Sequence, residues 1–344
     1  MSNTKKKTSL LFCLLLFYLL ITGGHLYADN NPVICKRTSP LYPGRLYTVF
    51  SISFPASNTG WLSGMLGHIW VTLDRGKSWS LQPVPSKEAL SAISFTDLLY
   101  GWAVGYGGTI LHTSDGGKKW ERQKSSFNYY WKSVWIKDKN HGWIAGEHGT
   151  IIATHDSGTT WQTQISGDDV ILNSIAFSPH GHGWAVGEFG VVYMTQNGKD
   201  WILQDNGIAS NENTLWSVCY AKQGIAIASG IASTLIISDN NGDNWRPLNN
   251  IKTITRGKHS LFRVFYFKNK IITFSPQAIF YSKDMGKTWK NGRINTTLDF
   301  DECLYDCSYN KDMAWIAGTR GSLLQSSNGT DWTLLNPDKK QVTK

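Results

Sequence analysis

Seven tryptophans recur at a spacing near forty residues, and each closes the same short phrase. The fullest copies are Thr72-x-Asp74-x-Gly76-x-x-Trp79, Thr113-x-Asp115-x-Gly117-x-x-Trp120, Thr154-x-Asp156-x-Gly158-x-x-Trp161 and Ser282-x-Asp284-x-Gly286-x-x-Trp289. Ser238-x-Asn240-x-Gly242-x-x-Trp245 carries Asn in place of Asp, and Thr195-x-Asn197-Gly198-x-x-Trp201 and Ser326-x-Asn328-Gly329-x-x-Trp332 are one residue shorter. Successive tryptophans lie 41, 41, 40, 44, 44 and 43 residues apart. Seven units of this period specify a repeat architecture before any other signal is weighed.

Each unit opens on a short apolar segment, such as Val49-Phe-Ser-Ile-Ser-Phe54, Leu90-Ser-Ala-Ile-Ser-Phe95 or Leu215-Trp-Ser-Val-Cys-Tyr220. Their β-branched and aromatic content predicts strands. A second strand follows, as in Gly142-Trp-Ile-Ala-Gly146, then a tight Gly-x-x-Gly turn such as Gly146-Glu-His-Gly149, whose glycines permit the positive φ of a two-residue hairpin. A third strand leads into the Asp-containing turn, and a fourth is expected to begin at the repeat Trp. Four antiparallel strands in each of seven units predict an all-β, seven-bladed β-propeller over residues 46–335, in which stacking buries faces that a lone blade would expose. The fifth and sixth units lose most second-strand glycines, at Gly224-Ile-Ala-Ile-Ala and Ile271-Ile-Thr-Phe-Ser275, but keep the period and count as blades.

Residues 1–28 read as a cleaved signal peptide: Lys5-Lys6-Lys7, a short apolar run from Ser9 to Ile21, and Ala28 at the cleavage site. The expected location is therefore periplasmic or secreted. With three lysines and no acid in that stretch, the formal charge of +9 falls to +6 on cleavage. That mild excess suits an acidic partner, and no Lys/Arg block marks a nucleic-acid tract. Residues 29–45 form an N-terminal segment whose Val33-Ile34-Cys35 could pair with the last blade, and residues 336–344 form a polar tail. Of the four cysteines after residue 28, Cys35 and Cys303 lie near the two ends of the array and are the expected disulfide; Cys219 and Cys307 fall within strands.

The phrase S/T-x-D-x-G-x-x-W is the Asp-box, and it resembles repeats of sialidases and of many non-enzymatic propellers. The carboxylate at Asp74, Asp115, Asp156 and Asp284 accepts backbone N–H groups inside the turn, and Asn197, Asn240 and Asn328 supply the same acceptor oxygen. Tolerance of Asn argues against catalysis by these groups. Sialidases carry an Arg-Ile-Pro element before the first box, whereas this chain has Pro43-Gly-Arg45-Leu-Tyr. A glycoside hydrolase and a carbohydrate-binding adhesin remain the alternatives. Gly101-Trp-Ala-Val-Gly105, the Gly-x-x-Gly-Thr-Ile turns and the boxes together resemble the photosystem II stability/assembly factor family. That resemblance implies an exported, non-catalytic propeller that holds a membrane-complex subunit, with no cofactor.

Binding is expected on the face that carries the turns between strands two and three and the links between blades, where the varied residues sit. Among them are Tyr106, Tyr129, Tyr130, Glu147, His148, Glu188, Phe189, Arg256, Lys258, His259 and Arg320. The third residue of the innermost strand is Ser51, Ala92, Ser133, Ser174 and Ser217, then Arg263 and Asp306. Small residues suit a crowded axis, and the last two predict an ion pair lining the channel. A sharper reading groups Arg263 with Arg256, Lys258 and Arg320 as a basic patch for an acidic peptide or a C-terminal carboxylate. The partner expected is a protein, taken up by a monomer.

Overall fold

The computed structural model describes residues 48–208, 213–298 and 302–335. Seven antiparallel sheets follow one another, each made from one contiguous stretch of chain. The innermost strands are Val49–Ser53, Leu90–Phe95, Trp131–Ile136, Leu172–Phe177, Leu215–Lys222, Arg263–Phe267 and Leu304–Tyr309, and they define blades 1 to 7. Each packs against the next, and blade 1 packs against blade 7, so the ring closes. The degenerate fifth and sixth units form complete blades, with second strands Ile225–Gly230 and Lys270–Ser275.

The fourth strands start after the repeat Trp in six blades, as at Ser80–Gln82 and Glu121–Arg122, and only Asp331–Leu334 includes it. The Trp ring turns inward instead, and the strand begins once the chain reaches the solvated rim. Blade 7 carries a fifth strand, Arg293–Ile294, which pairs in parallel with Asp331–Leu334. It comes from the link after blade 6. The expected pairing of Val33-Ile34-Cys35 with this blade lies outside the described residues.

The box turns are held by local hydrogen bonds. Asp115 Oδ1 accepts Lys119 N–H at 3.0 Å and the Thr113 hydroxyl at 2.9 Å, while Thr113 Oγ1 accepts Gly117 N–H at 2.9 Å. Asn197 Oδ1 repeats the pattern, accepting Asp200 N–H at 2.9 Å. The same bonds, led by the Thr288 hydroxyl, hold the Asp284 pKa down at about 2. A depressed carboxylate stabilises the fold above its unfolded value of 3.8 and loses that contribution as pH falls toward about 2. Asp284→Asn is therefore expected to melt below the parent at pH 5, with the difference shrinking toward pH 2; thermal melts across that window check it.

The Gly-Trp-x-x-Gly strand also has a steric reason. A Cβ at Gly101 would sit 2.5 Å from the Phe95 ring folded over it, and one at Gly105 would sit 1.9 Å from the Ala89 carbonyl. The second-strand tryptophans cross to the next blade's box, where Trp143 Nε1 donates to Gly198 O at 2.7 Å and Trp184 Nε1 donates to Asn241 O at 3.0 Å. Boxes and tryptophans thus rivet neighbouring blades on one face and leave the opposite face to other uses.

Candidate binding site at the channel mouth

The serines of the innermost strands do more than fit a narrow axis. Ser51 Oγ accepts Ile93 N–H from blade 2 at 3.1 Å, and Ser133, Ser174 and Ser217 accept Ile175, Val218 and Val264 N–H at 3.2, 3.2 and 3.3 Å. Each hydroxyl bridges to the next blade around the axis. Asp306 performs the same task at the closing seam, accepting Ile52 N–H at 3.1 Å and the Ser51 hydroxyl at 2.6 Å. Its second oxygen takes Arg263 Nε at 2.7 Å, and Arg263 Nη1 donates to Trp216 O at 3.0 Å. Burial opposes the Arg263 charge, yet the adjacent Asp306 carboxylate outweighs it and holds the guanidinium pKa above its ordinary value.

The channel opens on the face where each innermost strand begins. There the turns between strands two and three dock on the incoming links: Tyr106, Glu147 and Glu188 N–H donate to Ala89, Tyr130 and Ile171 O. Glu147 Oε2 accepts Tyr130 N–H at 2.7 Å, and Glu188 Oε2 accepts Ile171 N–H at 2.9 Å. The cavity at this mouth is lined by Phe50, Trp216, Phe262 and Tyr305 from blades 1, 5, 6 and 7, and by Ser91, Lys132 and Asn173 from blades 2 to 4, with Tyr130 and Arg263. Six of these nine are the second residue of an innermost strand, and Phe262 directly precedes the innermost strand of blade 6. The mouth is therefore aromatic on one side and polar on the other.

Ser91 and Asn173 are spent on the scaffold, donating to Trp131 O and Leu215 O at 2.5 and 3.0 Å. Lys132 supplies the charge. Its Nζ lies 4.7 Å from the centre of the Tyr130 ring, which stacks on Tyr106 at 4.0 Å. Burial, with Arg263 nearby, brings the Lys132 pKa down to about 8. Asp306 balances Arg263, while Glu188 and Glu147 act on Lys132 against the effect of burial.

The expected basic patch is arranged differently. Arg256 and Lys258 are exposed in the link before blade 6, and Arg320 sits at a turn tip of blade 7 with φ 55°. Arg263 points into the channel, where the second cation of its cavity is Lys132. Sequence reasoning missed Lys132 and the aromatic half-ring. The signal was present one position before the Ser/Ala column, which reads Phe, Ser, Lys, Asn, Trp, Phe, Tyr around the seven units.

Two thiols, Cys219 and Cys307, are free, and Cys303 is disulfide-bonded. Cys219 is buried, and burial raises its pKa to about 12. Cys35 lies outside the described residues. Among the described residues no group of His, Cys, Asp and Glu is placed to hold a metal, and no helix is long and apolar enough to cross a membrane.

The family model of the photosynthesis system II assembly factor YCF48 matches three overlapping stretches, residues 45–128, 77–169 and 123–206. Over residues 45–206 the chain is similar to the photosystem II assembly factor family. Among solved structures it is similar to YCF48 bound to D1 peptide, with TM-score 0.66 and 22% identity over 81% of this chain and 93% of that one. YCF48 from Cyanidioschyzon merolae gives TM-score 0.64 and 17% identity over 83% and 97% of the two chains. An ancestral GH74 enzyme gives TM-score 0.68 at 13% identity, with this chain spanning 47% of it. At these identities the likenesses show the fold alone. A search among curated proteins returns no match. The family match covers blades 1 to 4 of this assembly factor-like propeller, while Trp216, Phe262 and Tyr305 come from the blades beyond it.

Proposed function

We propose that this chain is exported after removal of residues 1–28 and works without catalysis, holding a segment of a protein partner at the channel mouth while a membrane complex is assembled. The mouth carries the reading: four aromatic walls share one cavity with Lys132 on a rigid ring. Such a site suits a peptide that presents an apolar side chain beside an acidic group. The family match supports an assembly role, and a neighbour of the same fold is described as bound to a peptide. A disulfide at Cys303 is in keeping with an oxidising compartment outside the cytosol.

The test is an array of peptide tiles covering the export-side loops and termini of the source organism's membrane proteins, probed with purified protein. Tiles combining acidic and apolar residues should bind, and Lys132→Glu should lose most of that binding while Lys119→Glu, on the box face, keeps it. Equal binding by the two variants would reject the mouth as the site.

A further inference from the structure

Charge is not spread evenly around the ring. Residues 252–298, which hold blade 6 and its flanking links, carry ten basic residues and one acid. Residues 48–251 and 299–335 carry 15 basic and 22 acidic residues, so one blade is positive on an otherwise negative ring. Its single acid, Asp284, is turned into its own box, where Oδ1 accepts Thr288 N–H and the Ser282 hydroxyl, both at 2.8 Å. Two of the three arginines already have acids from blade 7, Arg263 with Asp306 at 2.7 Å and Arg293 with Asp331 at 2.6 Å. Arg256 and seven lysines remain, and none of them enters an ion pair among the described residues.

These cations cover the blade from end to end. Arg256 and Lys258 are exposed on the link that enters from the mouth side, and Lys283 and Lys287 are exposed in the box turn at the other end. Lys290 is exposed on the fourth strand, the outermost of the sheet. Lys268 and Asn269 make the two-residue turn after the innermost strand, both at positive φ, 46° and 59°. Asn-Gly is the easy sequence for such a turn, so a lysine is held at this tip against local preference. Burial, then the charges of Lys283 and Lys268, hold the Lys270 pKa below its ordinary value, the mark of like charges crowded together. Rings seat two further cations: Lys283 Nζ lies 5.9 Å from the centre of Tyr281, and Lys222 of blade 5 lies 5.7 Å from the centre of Tyr266.

The residue types choose between partners. A single carboxylate is met best by an arginine fork in a fixed pair of bonds, and here two of the three forks are spent on Asp306 and Asp331. Lysines are hydrated point charges on flexible stems. Set on turn tips and an outer strand, they suit a layer of many mobile negative headgroups, where each cation adds its own attraction.

We propose that the outer surface of blade 6 is a docking surface for an anionic lipid bilayer, and that it seats the ring edge-on with the channel mouth opening to the side. The docking does not rest on the mouth reading above.

The test is flotation with vesicles of phosphatidylcholine, with and without about one third phosphatidylglycerol. Parent and variants are isolated in mature form from the native cells. The parent should float with the anionic vesicles only and should be released as salt is raised. Lys283→Gln/Lys287→Gln/Lys290→Gln should lower the partition coefficient about a hundredfold, at roughly fivefold for each lysine. Lys118→Gln/Lys119→Gln/Lys124→Gln removes the same charge from exposed positions of blade 2. It should stay within about twofold of the parent, because screening over about 10 Å isolates the two blades. The salt and lipid dependence of the parent needs no variant, so a folding defect cannot hide the answer. Equal loss in the two triple variants, or flotation indifferent to lipid charge, would overturn the proposal. So would a parent that ignores both vesicles and binds polyglutamate, which would make the partner an acidic protein. No partner segment enters this experiment, so its failure is separate from any failure at the mouth.

Discussion

Asp306→Ala should lower stability by about 3–5 kcal/mol, the range for breaking a buried ion pair by removing one partner. Asp306 of blade 7 serves three donors from two other blades: Ser51 Oγ and Ile52 N–H of blade 1 and Arg263 of blade 6. Its side chain is 11% exposed, so water replaces little of what is lost. Arg263→Ala should cost clearly less, because it leaves the carboxylate with the two blade 1 donors. The ranking separates this seam from an ordinary surface pair, for which either removal would have a small effect. Urea unfolding of the two variants decides it, and a larger loss from Arg263→Ala would contradict the role given to Asp306.

Phe54→Ala is the second large effect, also about 3–5 kcal/mol, as for deletion of a buried aromatic ring. Phe54 is 2% exposed, stacks on Trp315 of blade 7 at 3.9 Å and 5°, and meets Trp79 edge-on at 6.1 Å. It is the apolar half of the closing seam, since every blade is contiguous in sequence and the described sheets share no strand across blades 7 and 1. Ser57→Ala, which removes an exposed 2.9 Å bond to Asp312 across the same seam, should change stability by less than about 0.5 kcal/mol. Denaturant midpoints for the two variants give the comparison. Equal losses would mean that Phe54 does not close the ring.

The blades were legible because their signal is periodic and local: box, Trp and paired glycines recur with the hairpins they build. Even the weakened fifth and sixth units kept their place through spacing alone. The channel was legible in part. The Arg263 and Asp306 column stood out against serine, but the hydroxyls' inter-blade bonds required knowing which strand neighbours which. The mouth was hidden for another reason. Trp216, Phe262 and Tyr305 each read as core aromatics within their own units, and only the ring places them opposite Lys132. Arg263 pairs with Asp306 as its place in that column predicts, whereas Arg256 and Lys258 lie exposed in the link before blade 6.

The central claim is that recognition belongs to the channel mouth and that the box face is scaffold. Photo-crosslinking in the native cell tests it most directly, with a benzophenone amino acid at Asn173 on the mouth in one strain and at Lys119 on the box face in another. The expected result is one discrete adduct with a membrane-complex subunit from position 173 and none from position 119. The same adduct from position 119, with none from position 173, would contradict it.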